Sequence, residues 1–429
     1  MIEHLLEFLS FRDPNVVMVT LAAVLLSASA AMVGCFTFVR KRALVGDAIA
    51  HSILPGVCLA FLISGEKNPF WLLLGAAITG WLSLMAMDFI VRHSKLKADT
   101  AIGAVLSIFF GLGILLLTSI QHSGSGNQAG LDKFLFGKAA SMTQQDVWVF
   151  GGVAVGILVI LTLFFNAFKV LSFDLDFART RGLPIRFLEF ILATITVLAV
   201  ATGIQAVGVV LMAALLITPA AAARFWTDRL VKMIGLAAIF GMLSGFFGAF
   251  VSYAAPSMPT GPWIVMVLSV IALVSVVFAP KRGIWARRQL QRENRQKIHL
   301  ENILKTFYAL SESKEVEKVG FSFEEIIRRR HFSVSALKEG LRKLKRKGFV
   351  EPIEKNWRLT PEGKAESRRI VRLHRLWELY LNRRLNMMPD HVHNSAEAIE
   401  HIITPEVESQ LLEELGHPAL DPHESEIPR

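Results

Sequence analysis

The chain has 429 residues, of which 53% are hydrophobic and only 19% charged, with a net charge of +10. That balance excludes an ordinary soluble domain of this length, and the excess of base suits anionic lipid or nucleic acid as a neighbour. The two cysteines, Cys35 and Cys58, both lie in apolar runs, which excludes a disulfide framework.

The charges are unevenly placed. Residues 1–283 carry 32 of the 82 Asp, Glu, Lys and Arg side chains, and residues 284–429 carry the other 50. Two solvents are implied, hydrocarbon and then water. The segment up to Arg12 holds Glu3, Glu7 and one arginine. It lacks the basic start and small-residue cleavage site of a secretory signal, so the first apolar run is expected to be retained.

A membrane helix needs about 20 apolar residues. Runs of that kind fall near 15–38, 43–64, 69–91, 101–120, 146–168, 187–203, 205–223, 231–253 and 261–279, nine in all. The two that meet at Gly203–Gln205 can also be drawn as one kinked or re-entrant segment. Basic residues occupy alternate loops: Arg40, Lys41 and Arg42, then Arg92, Lys95 and Lys97, then Lys169, Arg179, Arg181 and Arg186, then Arg224, Arg229 and Lys232. The opposite loops hold little beyond Lys67, Lys133 and Lys138. The positive-inside bias predicts an N-terminus outside the cell membrane and a cytoplasmic tail from Lys281.

The second run contains Asp47 and His51, four residues apart and so on one helix face. Ionisable groups in hydrocarbon are costly and usually face a pathway or a partner. A carboxylate with an imidazole suits a divalent transition ion such as manganese, iron or zinc. Pro55, four residues on, has no N–H for the His51 carbonyl, which frees an oxygen beside the two groups. A structural Asp–His pair bracing the loop Arg40–Arg42 is the plainer alternative.

The loop from Phe173 through Asp174, Asp176, Ala178 and Arg179 to Gly182 and Pro184 reads as a short amphipathic helix. It is either an element on which a cytoplasmic motor pushes or a plain solvated loop. Further on, Gly241 and Gly245 form a small-xxx-small pair that predicts close helix packing, and Thr218-Pro219 is expected to interrupt the helix before it.

Residues 281–299 form a basic linker, expected to continue the last span as a helix with its charges at lipid head groups. A soluble domain follows over 300–360. Ile303, Leu304, Phe307 and Leu310 mark one helix, Phe323–Arg330 a second, and Ser333-Val334-Ser335 caps a third over Ala336–Lys347, closed by Gly348. Two short extended pieces, 349–352 and 357–360, complete the order of a winged helix. Nine basic side chains against Glu339 over 328–347 make Ser333, Ser335, Lys338, Arg342, Lys343 and Arg346 candidates for DNA contact. A solvated face or a lipid contact would use the same residues.

Over 361–429, Thr360-Pro361 opens a long helix bearing His374 and Glu378. His393, Glu397, Glu400 and His401 form one stripe at i, i+4, i+7 and i+8, a second set of hard and borderline donors for a divalent ion. An ordinary polar helix face is the alternative. Thr404-Pro405 begins another helix.

Residues 15–280 resemble the permease subunits of the manganese/zinc/iron class of ABC importers. The likeness rests on Arg42 through His51, Leu54-Pro55-Gly56, Phe134-Leu135-Phe136-Gly137, the Phe173–Pro184 loop and Val207 through Pro219. It implies that Asp47 and His51 line the ion path and that the Phe173–Pro184 loop is the coupling helix docking into an ATPase. It also implies an extracytoplasmic metal-binding protein and a second permease copy or paralogue. No GxxxxGK[ST] phosphate loop occurs in the chain, so the ATP-binding subunit is expected to be a separate polypeptide and this chain no enzyme.

Residues 300–428 resemble the diphtheria-toxin-repressor family of iron- and manganese-dependent regulators. Leu359-Thr360-Pro361-Glu362-Gly363, Arg372 through Glu378, His393 through His401, and the terminal Pro422-His423 and Ile427-Pro428 carry the likeness. It implies an ancillary metal site of His374, Glu378 and His393, a primary one of Glu397, Glu400 and His401, and a recognition helix over Ala336–Lys347. Asn302 and Lys305 stand where that family keeps ligands, which weakens the expected site, and Glu397 in place of a cysteine tilts the choice towards manganese. The expected fold is an all-α polytopic membrane domain of about nine helices over 1–280, then a winged helix and a helical metal-binding and dimerisation domain. A membrane-anchored, metal-dependent repressor without transport activity is the alternative function.

Overall fold

The computed structural model describes residues 7–66, 68–122, 143–255, 258–312, 320–385, 387–388 and 403–428. It divides into two compact units, Met1–Arg287 and Arg288–Arg429.

In the first unit, α1 (Pro14–Val39) starts on an Asp13 cap whose carboxylate accepts from the Asn15 amide. The next apolar run is two helices, α2 (Ala43–Ser52) and α3 (Leu54–Ser64), meeting at Ile53. Pro55 at the start of α3 cannot bond back to α2, and the buried Thr79 hydroxyl donates to the Ile53 carbonyl at the joint, at 3.3 Å. Then follow α4 (Pro69–His93), α5 (Ala98–His122), α6 (Gln144–Leu163), α7 (Phe165–Phe173), α8 (Leu175–Thr180), α9 (Ile185–Val207), α10 (Val209–Trp226), α11 (Leu230–Ala254) and α12 (Thr260–Phe278).

Among the described residues eight helical segments are long and apolar enough to cross a membrane, and α10 supplies a shorter apolar stretch, Leu211–Trp226. The ninth expected span is therefore this shorter helix. Its boundary is not Gly203–Gln205, where α9 is unbroken, but Gly208, whose φ of 88° suits a residue without a side chain. Pro219 does not interrupt α10 either; the helix runs through it. Membrane helices tolerate an internal proline where neighbouring helices, side chains or local adjustments satisfy the freed carbonyl.

Packing of α11 on α1 follows from the glycine pair. A Cβ at Gly241 would stand 2.4 Å from the Ser27 carbonyl oxygen, and one at Gly245 would stand 2.6 Å from that of Ala23. Only hydrogen fits, which is how lipid-buried helices gain dispersion contact when no hydrophobic force drives them together. The core beside this seam joins Ala22, Ala23 and Leu26 of α1 to Ile49 and Ile53, and to Leu215 and Leu216 of α10.

The basic linker is not a continuation of α12. The chain turns at Ala279–Gly283 and a new helix, α13 (Ile284–Glu312), carries the linker residues and the first helix of the tail without a break. Pro280 ends α12, since it cannot extend the hydrogen-bond ladder.

In the second unit α13 is followed by β1 (Phe321–Ser322), α14 (Phe323–Arg329), α15 (Val334–Arg346), β2 (Val350–Ile353), β3 (Asn356–Leu359), α16 (Pro361–Leu385) and α17 (Pro405–Leu415). The sheet is antiparallel in the order β1-β3-β2, with Phe321 opposite Trp357 and Val350 opposite Leu359. Caps fix the helix starts: Ser322 with Glu325 in a reciprocal box, Ser333 accepting from the Ala336 amide, and Thr404 from that of Val407. Ile303, Leu304 and Phe307 of α13 pack with Ile326, Leu337, Leu341 and Leu344 into one core.

Candidate metal pathway and regulatory surfaces

Asp47 and His51 sit one turn apart on α2, with Oδ1 and Nε2 separated by 3.7 Å. Neither is sealed among the helices: the Asp47 side chain is 38% exposed and that of His51 22%. The other ring nitrogen, Nδ1, is buried and has no hydrogen-bond partner among the described residues. The imidazole stands edge to face on Phe110 of α5, with ring centroids 5.0 Å apart, which fixes its plane. The placement of α2 against α10 depends on Gly46, where a Cβ would meet Leu216 Cδ2 at 2.5 Å. At 3.7 Å the carboxylate and imidazole approach each other without a close hydrogen bond, so both keep lone pairs for a cation.

Two further polar groups on the helices around this pair escaped the sequence reading. Ser52 Oγ and Gln205 Oε1 are buried and, like His51 Nδ1, unpartnered among the described residues. A buried orphan acceptor costs free energy unless something else satisfies it. Their signal in the sequence was only a lone glutamine in an apolar run and a serine beside a histidine, which without packing is indistinguishable from background.

The loop after α7 forms α8. Asp174 caps it, its carboxylate accepting from the Phe177 amide at 2.9 Å, and Gly182 closes it with φ of 70°. Asp176 and Arg179 pair across one turn at 2.8 Å. Ala178 is fully buried and anchors the helix, whereas Phe173 and Phe177 present exposed rings and Arg181 lies over Phe177 at 5.2 Å. Exposed aromatics beside a salt-bridged, capped turn form a rigid knob suited to a partner's cleft.

In the second unit His374 Nε2 and Glu378 Oε1 lie 3.1 Å apart on α16, and both side chains are buried. Asn302 Oδ1 on α13 is also buried and accepts no hydrogen bond from the described residues. Imidazole and carboxylate one turn apart are donors that suit a divalent first-row ion. His393, Glu397, Glu400 and His401 lie outside the described residues, and among the described residues no three His, Cys, Asp or Glu side chains converge. The nearby scaffold is ionic: Arg372 pairs with the buried Glu408, and Arg375 bonds Glu312 at 2.9 Å and faces Asp421 at 3.5 Å. Burial opposes the Arg375 charge, but Glu312 and Asp421 outweigh it and its pKa is raised.

On α15, Leu337, Gly340, Leu341 and Leu344 face the core. Ser335, Lys338, Arg342 and Arg346 are exposed on the opposite side, and the Ser333 cap is exposed too. Lys343 differs: it is half-buried and bonded to Glu339, whose pKa it holds below the usual carboxylate value through that hydrogen bond and its charge.

Comparison with known proteins agrees with both halves. Residues 12–279 match the family described as ABC 3 transport family, and residues 360–429 match the iron dependent repressor, metal binding and dimerisation domain. The chain is 41% identical over 375 residues to the manganese transport system membrane protein MntC of Bacillus subtilis, covering 87% of this chain and 86% of that protein. A probable metal transport system membrane protein of Chlamydia trachomatis is 28% identical over 98% of this chain and 97% of its own length. The structure of PsaBC from Streptococcus pneumoniae in complex with Fab superposes with a TM-score of 0.60 at 31% identity, over 66% of this chain and 99% of that one.

Proposed function

We propose, from the premise that this chain belongs to the ABC 3 transport family, that it is the membrane-spanning subunit of an ATP-driven importer of divalent metal, with a metal-responsive regulatory tail. The observation that carries the reading is the half-open Asp47–His51 pair on a membrane helix broken just beyond it. A hydrated dication entering hydrocarbon must exchange water for fixed ligands. The carboxylate supplies charge, the imidazole a borderline donor, and the Pro55 break leaves the His51 carbonyl as a third oxygen. Manganese leads because a relative 41% identical over 375 residues is named for it; iron and zinc are compatible with the same donors.

Partners follow from what the chain lacks. Without a phosphate loop it needs a separate ATP-binding subunit, and the knob of Phe173, Phe177 and Arg179 on α8 is its docking element. An extracytoplasmic metal-binding protein delivers the ion, and a second permease copy or paralogue completes the pathway. The alternation of basic loops favours a cytoplasmic α8 and tail with the N-terminus outside.

In the tail His374 and Glu378, with His393, Glu397, Glu400 and His401, would hold the regulatory ion. When bound, that ion supplies positive charge that ties α16 to the segment after it. The exposed face of Ser335, Lys338, Arg342 and Arg346 favours DNA as the tail's partner. The functional boundaries are 1–280 for the permease, 281–299 for the basic connection, 300–360 for the winged helix and 361–429 for the metal-binding and dimerisation part.

Uptake of radioactive manganese by cells carrying the whole transporter tests the reading. Asp47→Ala and His51→Ala are expected to abolish uptake with the protein still in the membrane. Unchanged uptake would favour a membrane-anchored repressor that transports nothing.

A further inference from the structure

Two cavities of about 410 Å³ each lie along α4 and α9 in the membrane unit. They share one wall, Trp81 and Phe190, whose rings meet edge to face at 5.4 Å. The first cavity is a basic mouth at the end of the bundle. Arg40, Lys41, Arg42, Arg92 and Arg186 line it against Asp88, Asp99 and Glu189. Arg40 is committed to Glu189 at 2.6 Å, but among the described residues no carboxylate pairs with Arg42, Arg92 or Arg186. The second cavity is an open apolar groove bounded by Ile78, Leu82, Val197 and Leu198. Its single hydroxyl, on Thr194, is spent on the Phe190 carbonyl at 2.8 Å.

We propose that this continuous feature binds one anionic phospholipid, its phosphate held by Arg42, Arg92 and Arg186 and an acyl chain laid along the groove between α4 and α9. Cations at the membrane boundary are attracted to anionic head groups, and basic pockets between membrane helices are built for them. The groove decides the source of the phosphate, since an acyl chain tied covalently to the head group can fill it and so hold the phosphate at the mouth, a linkage that a soluble phosphate lacks. A second copy is the less suitable occupant. A two-fold interface is self-complementary, so it would bring the same unpaired arginines of both copies to one buried surface. Leu44 and Val45, the first turn of the helix that carries Asp47, also line the mouth. The lipid would therefore offset positive charge beside that helix. The inference goes beyond the transport reading and stands without it.

Native mass spectrometry of the full-length protein in neutral detergent provides the test, with dioleoyl phosphatidylglycerol, dioleoyl phosphatidylcholine and glycerol-1-phosphate as probes. One phosphatidylglycerol is expected to remain bound where phosphatidylcholine does not, and glycerol-1-phosphate should fail to displace it. Arg92→Gln and Arg186→Gln should each weaken retention about fivefold. Ala77→Trp, which fills the groove without changing charge, should weaken it as well. Equal retention of both lipids, unchanged retention in the triple variant Arg42→Gln/Arg92→Gln/Arg186→Gln, or displacement by glycerol-1-phosphate would overturn the proposal. So would efficient cross-linking of two copies through Ile78→Cys in native membranes. Should the charge variants fail to fold, the comparison of two lipids on the unaltered protein and the Ile78→Cys result decide it.

Discussion

The two units each place a histidine and a carboxylate one helical turn apart, and they treat the pair in opposite ways. On α2 the groups stand 3.7 Å apart and partly open, with a ring nitrogen unpartnered among the described residues. On α16 they close to 3.1 Å and are buried, beside a scaffold in which Arg372 holds Glu408. A ligand set meant for passing cargo has to release it, so loose geometry and access are assets. A sensor needs its ion resident, so burial and supporting charges favour retention. Sequence spacing is the same in both; the surroundings differ, and on the proposed reading that difference separates cargo from sensor.

Crossed substitutions break or sharpen that contrast most directly. His51→Gln should lower manganese uptake by about 100-fold, since removing even outer-shell support of a metal typically costs 10- to 100-fold. His374→Gln should leave uptake intact and abolish the rise in thermal stability expected of the tail on adding manganese. Uptake assays and melting curves with and without manganese read the two effects. If both variants lost uptake alike, the division between cargo and sensor would fail. Without metal, Glu378→Ala should itself destabilise the tail, by about 1–3 kcal/mol, because it leaves the buried His374 ring nitrogen without that contact.

The next effect separates the solvents. Gly241→Leu drives a side chain into the Ser27 carbonyl, which belongs to a helix backbone and cannot step aside. A loss of about 1–3 kcal/mol or more is expected for such overpacking, read as a lowered melting temperature in detergent. Gly348→Ala in the tail meets nothing within 4 Å, and its cost is confined to the φ of 78°. About 1 kcal/mol is expected there.

Much of this was readable beforehand, for identifiable reasons. Ser333 and Thr404 announce their helices because a cap is a local bond between neighbours in sequence. The glycine pair announced its seam because only hydrogen permits that approach. By contrast β1 has two residues and exists only through its pairing with β3. The end of α9 was misplaced by a few residues because Gly203 and Gly208 look alike in composition. Only Gly208 takes the positive φ, while Gly203 stays helical with its space filled by Met212. The site residues divide in the same way. Asp47 and His51 stand out as ionisable groups in hydrocarbon, whereas Gln205 became a candidate only once its burial was seen.

A smaller effect concerns the knob on α8. Phe177→Ala removes an exposed ring and the guanidinium stack of Arg181 without touching the buried Ala178 anchor. If α8 is the docking element, metal-stimulated ATP hydrolysis by the assembled transporter should fall several-fold, as for an interface aromatic whose loss costs about 1–2 kcal/mol. Folding and metal binding should be unchanged. Full stimulation in the variant would return α8 to the status of a solvated loop.

The smallest effect, and the finest distinction, lies on α15. Lys338, Arg342 and Arg346 are exposed and without carboxylate partners among the described residues, whereas Lys343 is bonded to Glu339. A phosphate contact releases about one counterion, so each cation that truly touches DNA contributes about 0.9 to the slope of log affinity against log salt. Arg342→Ala and Arg346→Ala in the detergent-solubilised full chain should each reduce that slope by about one. Lys343→Ala should change it less, because Glu339 already neutralises that charge. Glu339→Gln should raise the slope by releasing Lys343 to the phosphates. Equal slopes in all four variants would mean that the basic face of α15 does not meet DNA at all. The tail would then act on the transporter through metal and dimerisation alone, with the winged helix serving as a structural support for the metal-binding helices.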